Sequence, residues 1–257
     1  MTIATPYIFG ASVIGPLHIQ DGLSCQDACL YEVVSDDFGI IAVADGLGSV
    51  PMSDLGARLS VEAAVSAAKS LLCDTSKDGP DISEIPMKMM RAARESLEET
   101  ALREGFRLGD MATTLITVLF RGDSIYTAQI GDGAVVARVD GSLVLLSGPL
   151  NSEYANEVTP ITCNDWQASI FSAEARSGAE CVAVFTDGCQ RPALLKTAEG
   201  YGPFEKFFHP VFSYAAEVED IAKGGQELGE FLSSEKISEY SEDDKTLVLA
   251  VLQGRQQ

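Results

Sequence analysis

Aspartates stand at the ends of several apolar segments of this chain, where core packing would hold a carboxylate more firmly than its own rotamer preference does. Segment 38–44 is apolar and ends in Asp45-Gly46. The pattern Val-Ala-Asp-Gly at 43–46 is nearly repeated as Phe-Thr-Asp-Gly at 185–188. Further acids in comparable positions are Asp27, Asp132, Asp243 and Asp244. One Asp-Gly pair is typical of an ordinary turn, but this repetition predicts a shared site.

Carboxylates packed together repel one another, so each must be protonated or neutralised by a cation. An all-oxygen set without cysteine or histidine ligands suits hard divalent ions, Mg²⁺ or Mn²⁺, better than Zn²⁺. Two such ions a few ångströms apart lower the pKa of a shared water and generate hydroxide near neutral pH. The residues therefore predict metal-assisted hydrolysis, and a phosphate ester suits this chemistry because the cations neutralise its developing charge.

Short strands are the elements that must position these acids. Asp27 precedes one apolar segment and Asp45 ends the next, and a turn at 35–37 joins the two segments into a predicted hairpin. In an antiparallel hairpin both acids lie at the same end of the sheet. Further strands are predicted at 7–14, 112–120, 124–130, 134–139, 142–146, 167–172, 181–185 and 246–252. The Gly/Asp turns between them indicate antiparallel pairing.

Apolar residues at helical spacing predict helices between the strands. One amphipathic helix is expected to begin at Ser53, as its N-cap, and to run to Leu72, and another is expected from about Ile85 to Phe106. Two more are predicted at 204–212 and 220–232. The segments around Gly15 to Gly22 and from Ser147 to Asn164 are rich in turn residues and are predicted to be loops, the second a mobile flap.

Composition limits the partners and the location. The 257 residues are 46% hydrophobic and 22% charged, without a repeat or linker, so a single domain over 1–257 is expected. The net charge of −20 opposes binding to nucleic acid or to an anionic membrane. The sequence has no leader pattern and no apolar run of the roughly 18 residues that span a bilayer. The six scattered cysteines favour reduced thiols, and a cytoplasmic location is expected.

Six ordered motifs resemble those of the PP2C (PPM) metal-dependent protein serine/threonine phosphatases, and they extend over nearly the whole chain. They are Gln26-Asp27, Ala44-Asp45-Gly46-Leu47-Gly48, Ala112-Thr113-Thr114-Leu115, Ile130-Gly131-Asp132-Gly133, Phe185-Thr186-Asp187-Gly188 and Asp243-Asp244-Lys245-Thr246. The segment 153–157 and the compact size are closest to the short bacterial members.

The resemblance implies an α+β fold, a four-layer αββα sandwich of two antiparallel sheets flanked by helix pairs. It implies that Asp45 bridges two Mg²⁺ or Mn²⁺ ions, with the Gly46 carbonyl as a ligand, and that Asp187 and Asp243 complete the second ion site. Asp27 would hold a metal-bound water without binding an ion itself, and Asp132 would support the third ion of bacterial members. The implied reaction is the hydrolysis of phosphoserine and phosphothreonine in proteins by metal-activated water, opposing a serine/threonine kinase.

Several positions depart from the family pattern and leave alternatives open. Leu47 replaces a histidine of eukaryotic members, Asp244 replaces an asparagine, and the usual phosphate-binding arginine is missing upstream of Gln26. His18 and Lys245 are the candidates for substrate contact. A pseudophosphatase that acts as a regulatory binding module is the main alternative function, and hydrolysis of small phosphate esters is another.

Overall fold

The structure is a computed structural model that describes residues 5–73, 81–149, 158–175, 177–198 and 200–252. Two five-stranded antiparallel sheets dominate it, one in the order β2-β3-β4-β5-β8 and the other in the order β1-β12-β9-β6-β7. Their strands are β1 (Tyr7–Val13), β2 (Asp27–Val33), β3 (Phe38–Asp45), β4 (Leu115–Arg121), β5 (Ser124–Ile130), β6 (Ala134–Val139), β7 (Ser142–Ser147), β8 (Phe171–Ala175), β9 (Ala179–Phe185) and β12 (Lys245–Val251). A separate small hairpin pairs β10 (Leu194–Thr197) with β11 (Gly200–Pro203).

Two pairs of longer helices cover the outer faces of the sheets, and three short helices lie elsewhere in the described part of the chain. They are α1 (Pro16–Asp21), α2 (Ser53–Leu72), α3 (Ile85–Glu104), α4 (Gln190–Ala193), α5 (Glu205–Glu217), α6 (Ile221–Leu232) and α7 (Glu235–Ser238). The long pair α2 and α3 packs on the first sheet through a core that includes Met89, Met90 and Leu97. The pair α5 and α6 packs on the second sheet through Phe208, Phe212 and Leu228. A third apolar core lies between the two sheets, so the predicted αββα sandwich is confirmed.

The hairpin of β2 and β3 places two of the predicted site acids side by side. The register pairs Asp27 with Asp45, at the end of the strands away from the turn. Six consecutive residues of β3 are buried, because one face packs against α2 and the other against the second sheet. Gly46 follows at a point where a β-carbon would lie 2.6 Å from the carbonyl oxygen of Ser53, so only glycine fits there.

Local differences from the sequence-based expectations have long-range causes. Residues 16–21 form α1 rather than a loop, and Leu17 N–H donates to the carbonyl of Glu242. Ser53 lies inside α2 and is buried, whereas Met52 is the N-cap. The strand expected at 167–172 begins instead at Phe171, because its register is set by pairing with β5. The predicted flap lies partly outside the described residues, at 150–157.

In the part of the chain that the structure describes, no helix combines the length and the hydrophobicity needed to cross a bilayer. All six cysteines are free thiols. Cys181 and Cys189 are buried as small apolar side chains in the core beneath α5 and α6.

Candidate metal centre

Asp45 is held in place through its backbone by the Ala-Thr-Thr-Leu motif that precedes β4. Its N–H donates to Thr114 Oγ1 at 3.0 Å, and its carbonyl accepts from Thr113 Oγ1 at 2.9 Å and from Thr114 N–H at 2.8 Å. These bonds continue the β3–β4 ladder past its last regular pair. The two threonines therefore fix the point at which the Asp45 carboxylate leaves the sheet.

Asp132 lies in a turn that two glutamines stabilise. Gln129 Nε2 donates to the carbonyl of Gly133 at 2.7 Å, and Gln190 Nε2 donates to the carbonyl of Asp132 at 2.5 Å. Gly131 adopts a φ of 107°, where a β-carbon would also meet the Thr114 side chain at 2.5 Å. Glycine at 131 is thus required both by the backbone conformation and by the close approach of β4.

Asp187 begins a short turn at the end of β9, directly after Thr186. The Thr186 hydroxyl and the Thr246 hydroxyl both donate to Asp27 Oδ2, each at 2.8 Å. Asp27 is thereby tied to the ends of β9 and β12, beneath the cleft, and it does not line the cleft surface. Burial raises the pKa of Asp27 to about 8, although the two threonine hydroxyls favour its charged form.

The structure brings together three of the predicted ligands, Asp45, Asp132 and Asp187. One carboxylate oxygen from each lies within 4.8 Å of the others. Burial, reinforced by Asp27 and Asp187, raises the pKa of Asp45 well above its usual range. Burial and Asp243 raise the pKa of Asp187, and burial with Asp187 raises the pKa of Asp132 to about 6. Neighbouring negative charge is one cause of each of these shifts. A bound cation would offset that charge and lower the pKa values of the three acids.

Asp243 lies on the wall of the same cleft but clusters with a different set. Ligand atoms of Asp243, Asp244 and His18 come within 4.8 Å of one another. Asp244 is buried and accepts hydrogen bonds from the N–H groups of Gly15 at 2.7 Å and Gln26 at 2.6 Å. His18 Nδ1 lies 2.9 Å from Asp244 Oδ2, and His18 lines the cleft. Asp244 therefore binds the backbone on both sides of α1 and holds this helix and its loop next to Asp243.

Lys245 occupies a different position from the one predicted. It is only 1% exposed, and its ammonium donates to the carbonyl of Asp243 at 2.8 Å. Burial lowers the pKa of Lys245. The prediction of substrate contact by Lys245 is therefore corrected: the strand β12 directs this side chain into the protein, where it supports the Asp243 turn.

The residues of this cleft fit hard divalent cations. Asp45, Asp132, Asp187, Asp243 and the carbonyl-bearing Gly46 all line a cavity of about 410 Å³. Gln26 also lines it, and its buried Oε1 accepts no hydrogen bond within the described part of the chain. Carboxylates with an amide oxygen form a donor set of the kind that Mg²⁺ or Mn²⁺ prefers. Among the described residues no lysine or arginine lines the cavity, so side-chain cations do not balance these acids.

Arg94 of α3 is a supporting residue that sequence reasoning missed. It is 8% exposed, and its Nη1 donates to the carbonyls of Ile161 and Cys163, both at 2.7 Å. Ile161 N–H in turn donates to the carbonyl of Thr113, next to the residue that fixes Asp45. Val158, three residues before Ile161, lines the cleft. Arg94 thus anchors the segment that forms one wall of the cleft, and an arginine on a helix gave no sequence signal of this role.

Comparison with known proteins agrees with this geometry. A family profile described as Protein phosphatase 2C matches residues 14–233. This chain belongs to the protein phosphatase 2C family. The predicted resemblance is confirmed, and with it the prediction of a phosphatase enzyme.

One sequence relative and two solved structures show what this chain is similar to. Serine/threonine-protein phosphatase 3 of Escherichia coli (strain K12) is 33% identical over 247 residues, which cover 94% of this chain and 96% of that protein. A bacterial serine phosphatase has the same fold with a TM-score of 0.66 at 13% identity, over 97% of this chain and 99% of its own. The catalytic domain of the phosphatase PstP, solved with two manganese ions, has a TM-score of 0.62 at 16% identity and is covered to 97%, with 96% of this chain aligned.

Proposed function

We propose that this chain is a single catalytic domain that hydrolyses phosphoserine and phosphothreonine esters in proteins with the help of Mg²⁺ or Mn²⁺. The observation that carries the proposal is the convergence of Asp45, Asp132 and Asp187 within 4.8 Å. A phosphate dianion would be repelled by these acids unless cations stood between them. The relative named as a serine/threonine-protein phosphatase supports the choice of substrate.

Each acid has a proposed part in holding the cations. Asp45, with the Gly46 carbonyl, would bridge two ions, Asp187 and Asp243 would complete the second site, and Asp132 would hold a third. When bound, the ions would supply Lewis acidity and a water of lowered pKa. We assign Asp27 a positioning role, because its hydrogen bonds to Thr186 and Thr246 orient the strand ends that carry Asp187 and Asp243.

The remaining lining residues shape how a phosphate ester would enter. His18 is the one basic side chain among the described residues that line the cleft, so it is the proposed protein contact to the phosphoryl group. Its Nδ1 lies 2.9 Å from Asp244 Oδ2, so a carboxylate stands behind the ring. Leu47 occupies the position where eukaryotic relatives carry a histidine, and it cannot donate a proton to the leaving group. The leaving oxygen would then take its proton from solvent or from His18.

Phosphatase assays test the proposal directly. With Mn²⁺ the chain should hydrolyse both p-nitrophenyl phosphate and a phosphothreonine peptide, and EDTA should abolish both activities. Phosphate release is the readout, measured for the wild type and for Asp187→Asn. Turnover that persists in EDTA, or full activity of Asp187→Asn, would refute a metal-dependent mechanism. Hydrolysis of p-nitrophenyl phosphate without any activity on phosphopeptides would instead indicate a small-ester phosphatase.

The second candidate is a pseudophosphatase that binds a phosphoprotein without turnover. It is favoured by the lack of a lysine or arginine at the described cleft surface. Calorimetry separates the two functions, because a pseudophosphatase would bind Mn²⁺ and phosphopeptide but release no phosphate.

A further inference from the structure

A second depression lies on the outer helical layer of the second sheet, away from the acids. It is a groove between α5, α6 and α7 with a volume of about 620 Å³. Five aromatic residues line it: Phe204, Phe207, Tyr214, Phe231 and Tyr240. Tyr240, at the edge of the groove, is 44% exposed. The size and the apolar walls are those of a ligand-binding groove rather than of a packing defect.

Two of the three charged residues that line this aromatic groove are basic. Lys206 and Lys236 line it, are exposed, and have no acidic partner within 4.0 Å among the described residues. The acid at the rim, Glu227, is already engaged: it accepts from the Tyr214 hydroxyl at 2.6 Å and lies 3.2 Å from Lys223 Nζ. In a chain of net charge −20, these two free lysines make the groove a place where an acidic partner would be attracted.

The aromatic groove is continuous with the acidic cleft. A polar depression of about 660 Å³ lies between them and shares Tyr240 with the groove. The same depression shares Leu17, Asp187 and Asp243 with the cleft. Its wall also contains Arg191, Glu239 and Glu242, and Arg191 Nη1 donates to the carbonyl of Tyr240 at 3.3 Å. A polypeptide whose phosphorylated residue sits in the cleft can therefore follow one surface past Arg191 into the groove.

We propose that the aromatic groove is a docking site for the phosphoprotein substrate, and this rests on the proposed function. The occupant is a segment of the substrate that carries one large apolar side chain with acidic neighbours. The apolar side chain fills the groove, and the acidic neighbours face Lys206 and Lys236. Continuity with the cleft favours a substrate segment over a second copy of this chain.

The path length sets the spacing of this anchor. Tyr240 and Asp243 are three residues apart in sequence, so their α-carbons are at most about 11 Å apart. An extended peptide advances about 3.3 Å per residue. Allowing for the reach into the groove, the anchor lies roughly four to six residues from the phosphorylated residue.

The test uses phosphothreonine peptides of equal length with Mn²⁺. One series carries a phenylalanine flanked by two glutamates at three to eight residues from the phosphothreonine, on either side, and the reference peptide has serines there. We expect kcat/KM to rise about tenfold at a spacing of four to six residues, through KM, because a large apolar side chain is buried. Hydrolysis of p-nitrophenyl phosphate, which cannot reach the groove, reports the cleft alone.

Variants at the rim complete the test without touching the core. Lys206→Glu/Lys236→Glu should abolish the tenfold preference and leave p-nitrophenyl phosphate hydrolysis unchanged. Arg91→Glu, an exposed change of the same kind on α3 at the opposite face, is the matched control and should leave both unchanged. No preference at any spacing, or equal losses on both substrates in the double variant, would overturn the proposal. So would a dimer that the double variant dissociates in sedimentation, because the groove would then be a self-interface.

Failure of the proposed function gives a different result. If no substrate is hydrolysed with Mn²⁺, fluorescence anisotropy of the labelled anchored peptide still measures docking. Binding that the double rim variant weakens about tenfold would support the groove as a peptide site in a protein that is not a phosphatase. Binding that the variant leaves unchanged would refute the docking site as well.

Discussion

The acidic cleft and the aromatic groove adjoin the same polar depression, and they differ in what fixes their side chains. In the cleft, hydrogen bonds do so: Thr113 and Thr114 hold Asp45, Gln129 and Gln190 hold the Asp132 turn, and Asp27 ties Thr186 to Thr246. In the groove, packing does so, through tilted and edge-to-face ring pairs such as Phe207 against Phe208 with centroids 5.1 Å apart. Chemistry at a few atoms requires the first kind of support, whereas recognition of a chain segment needs only shape and charge.

The largest expected effect is the loss of kcat in variants of the cleft. It should appear on every substrate, whereas changes in the groove should affect only peptides that reach it. Asp45→Asn or Asp187→Asn should lower kcat by at least about 10³ on every substrate, since preorganised charge at the reacting group is lost. Asp36→Asn, an exposed change in the β2–β3 turn at the far end of the sheet, is the control and should keep full activity. Circular dichroism and thermal melts verify that the variants fold. An acid variant that loses activity only on long peptides would break the distinction between cleft and groove.

Cations that bind in the cleft should raise the free energy of unfolding of the protein, and variants of the groove should not change this gain. Mn²⁺ at about 100 times its Kd should add about 2.7 kcal/mol to the free energy of unfolding, which corresponds to roughly 5 to 10 °C in Tm. Asp45→Asn should reduce this shift, whereas Lys236→Glu should not. Differential scanning calorimetry with Mn²⁺ and with EDTA measures it. An equal shift in the wild type and in Asp45→Asn would place the stabilising ion elsewhere.

The same acids make stability depend on pH when cations are removed. The pKa of Asp132 is raised to about 6 and that of Asp27 to about 8, so between about pH 4 and pH 8 the folded protein holds protons that the unfolded chain has released. The unfolding free energy in EDTA should therefore fall as pH rises through this window, and saturating Mn²⁺ should remove most of the fall. Tm values from pH 5 to pH 8 are the measurement. Stability in EDTA that rises with pH across the window would contradict it.

Arg94 sharpens the comparison, because it supports the cleft from a helix that does not touch the groove. Arg94→Met should cost about 2 kcal/mol of stability, since the carbonyls of Ile161 and Cys163 lose a charged donor. Arg91→Met, on the exposed side of the same helix, should cost little. Urea denaturation compares the two. We also expect Arg94→Met to lower kcat/KM on all substrates alike, and a loss confined to groove-anchored peptides would contradict its assignment to the cleft.

Asp244→Asn is the smallest change with a definite expectation. Its two carboxylate oxygens accept from Gly15 and Gln26, and an asparagine has only one acceptor oxygen for these two N–H groups. One buried N–H loses its partner, which should cost about 1 kcal/mol in urea denaturation. Loosening of α1 should appear as faster amide exchange at Leu17, whereas residues of α5 should keep their protection.

Sequence reasoning predicted the elements whose periodicity is strong. The β2–β3 hairpin, the two long helices α2 and α3, and the strand ends bearing the acids all agree with the structure. The repeated strand-end acids predicted a shared site, but the ligand set within it depends on sheet topology, and only the family resemblance indicated that set. The separation of Asp243, beside His18, from the three clustered acids could not be read from spacing.

The errors arose where distant contacts override local signals. Gly15 and Gly22 suggested a loop. The helix α1 forms because Asp244 and the Glu242 carbonyl, more than 200 residues away in sequence, accept hydrogen bonds from N–H groups at its start. The sequence suggested that Lys245 is a surface cation beside acids, but β12 lies between β1 and β9 and all seven of its residues are buried. The aromatic groove left no signal in the sequence, because three of its five aromatic residues, Phe207, Tyr214 and Phe231, have the spacing of ordinary core positions on α5 and α6.

The central claim is that the carboxylates at the sheet ends hold divalent cations. Crystals soaked in Mn²⁺ and measured near the manganese absorption edge test it most directly. We predict at least two anomalous peaks within about 2.3 Å of carboxylate oxygens, one shared by Asp45 and Asp187, and their loss in Asp45→Asn crystals. Anomalous maps without a peak between Asp45, Asp132 and Asp187, at Mn²⁺ concentrations that support turnover, would contradict the account.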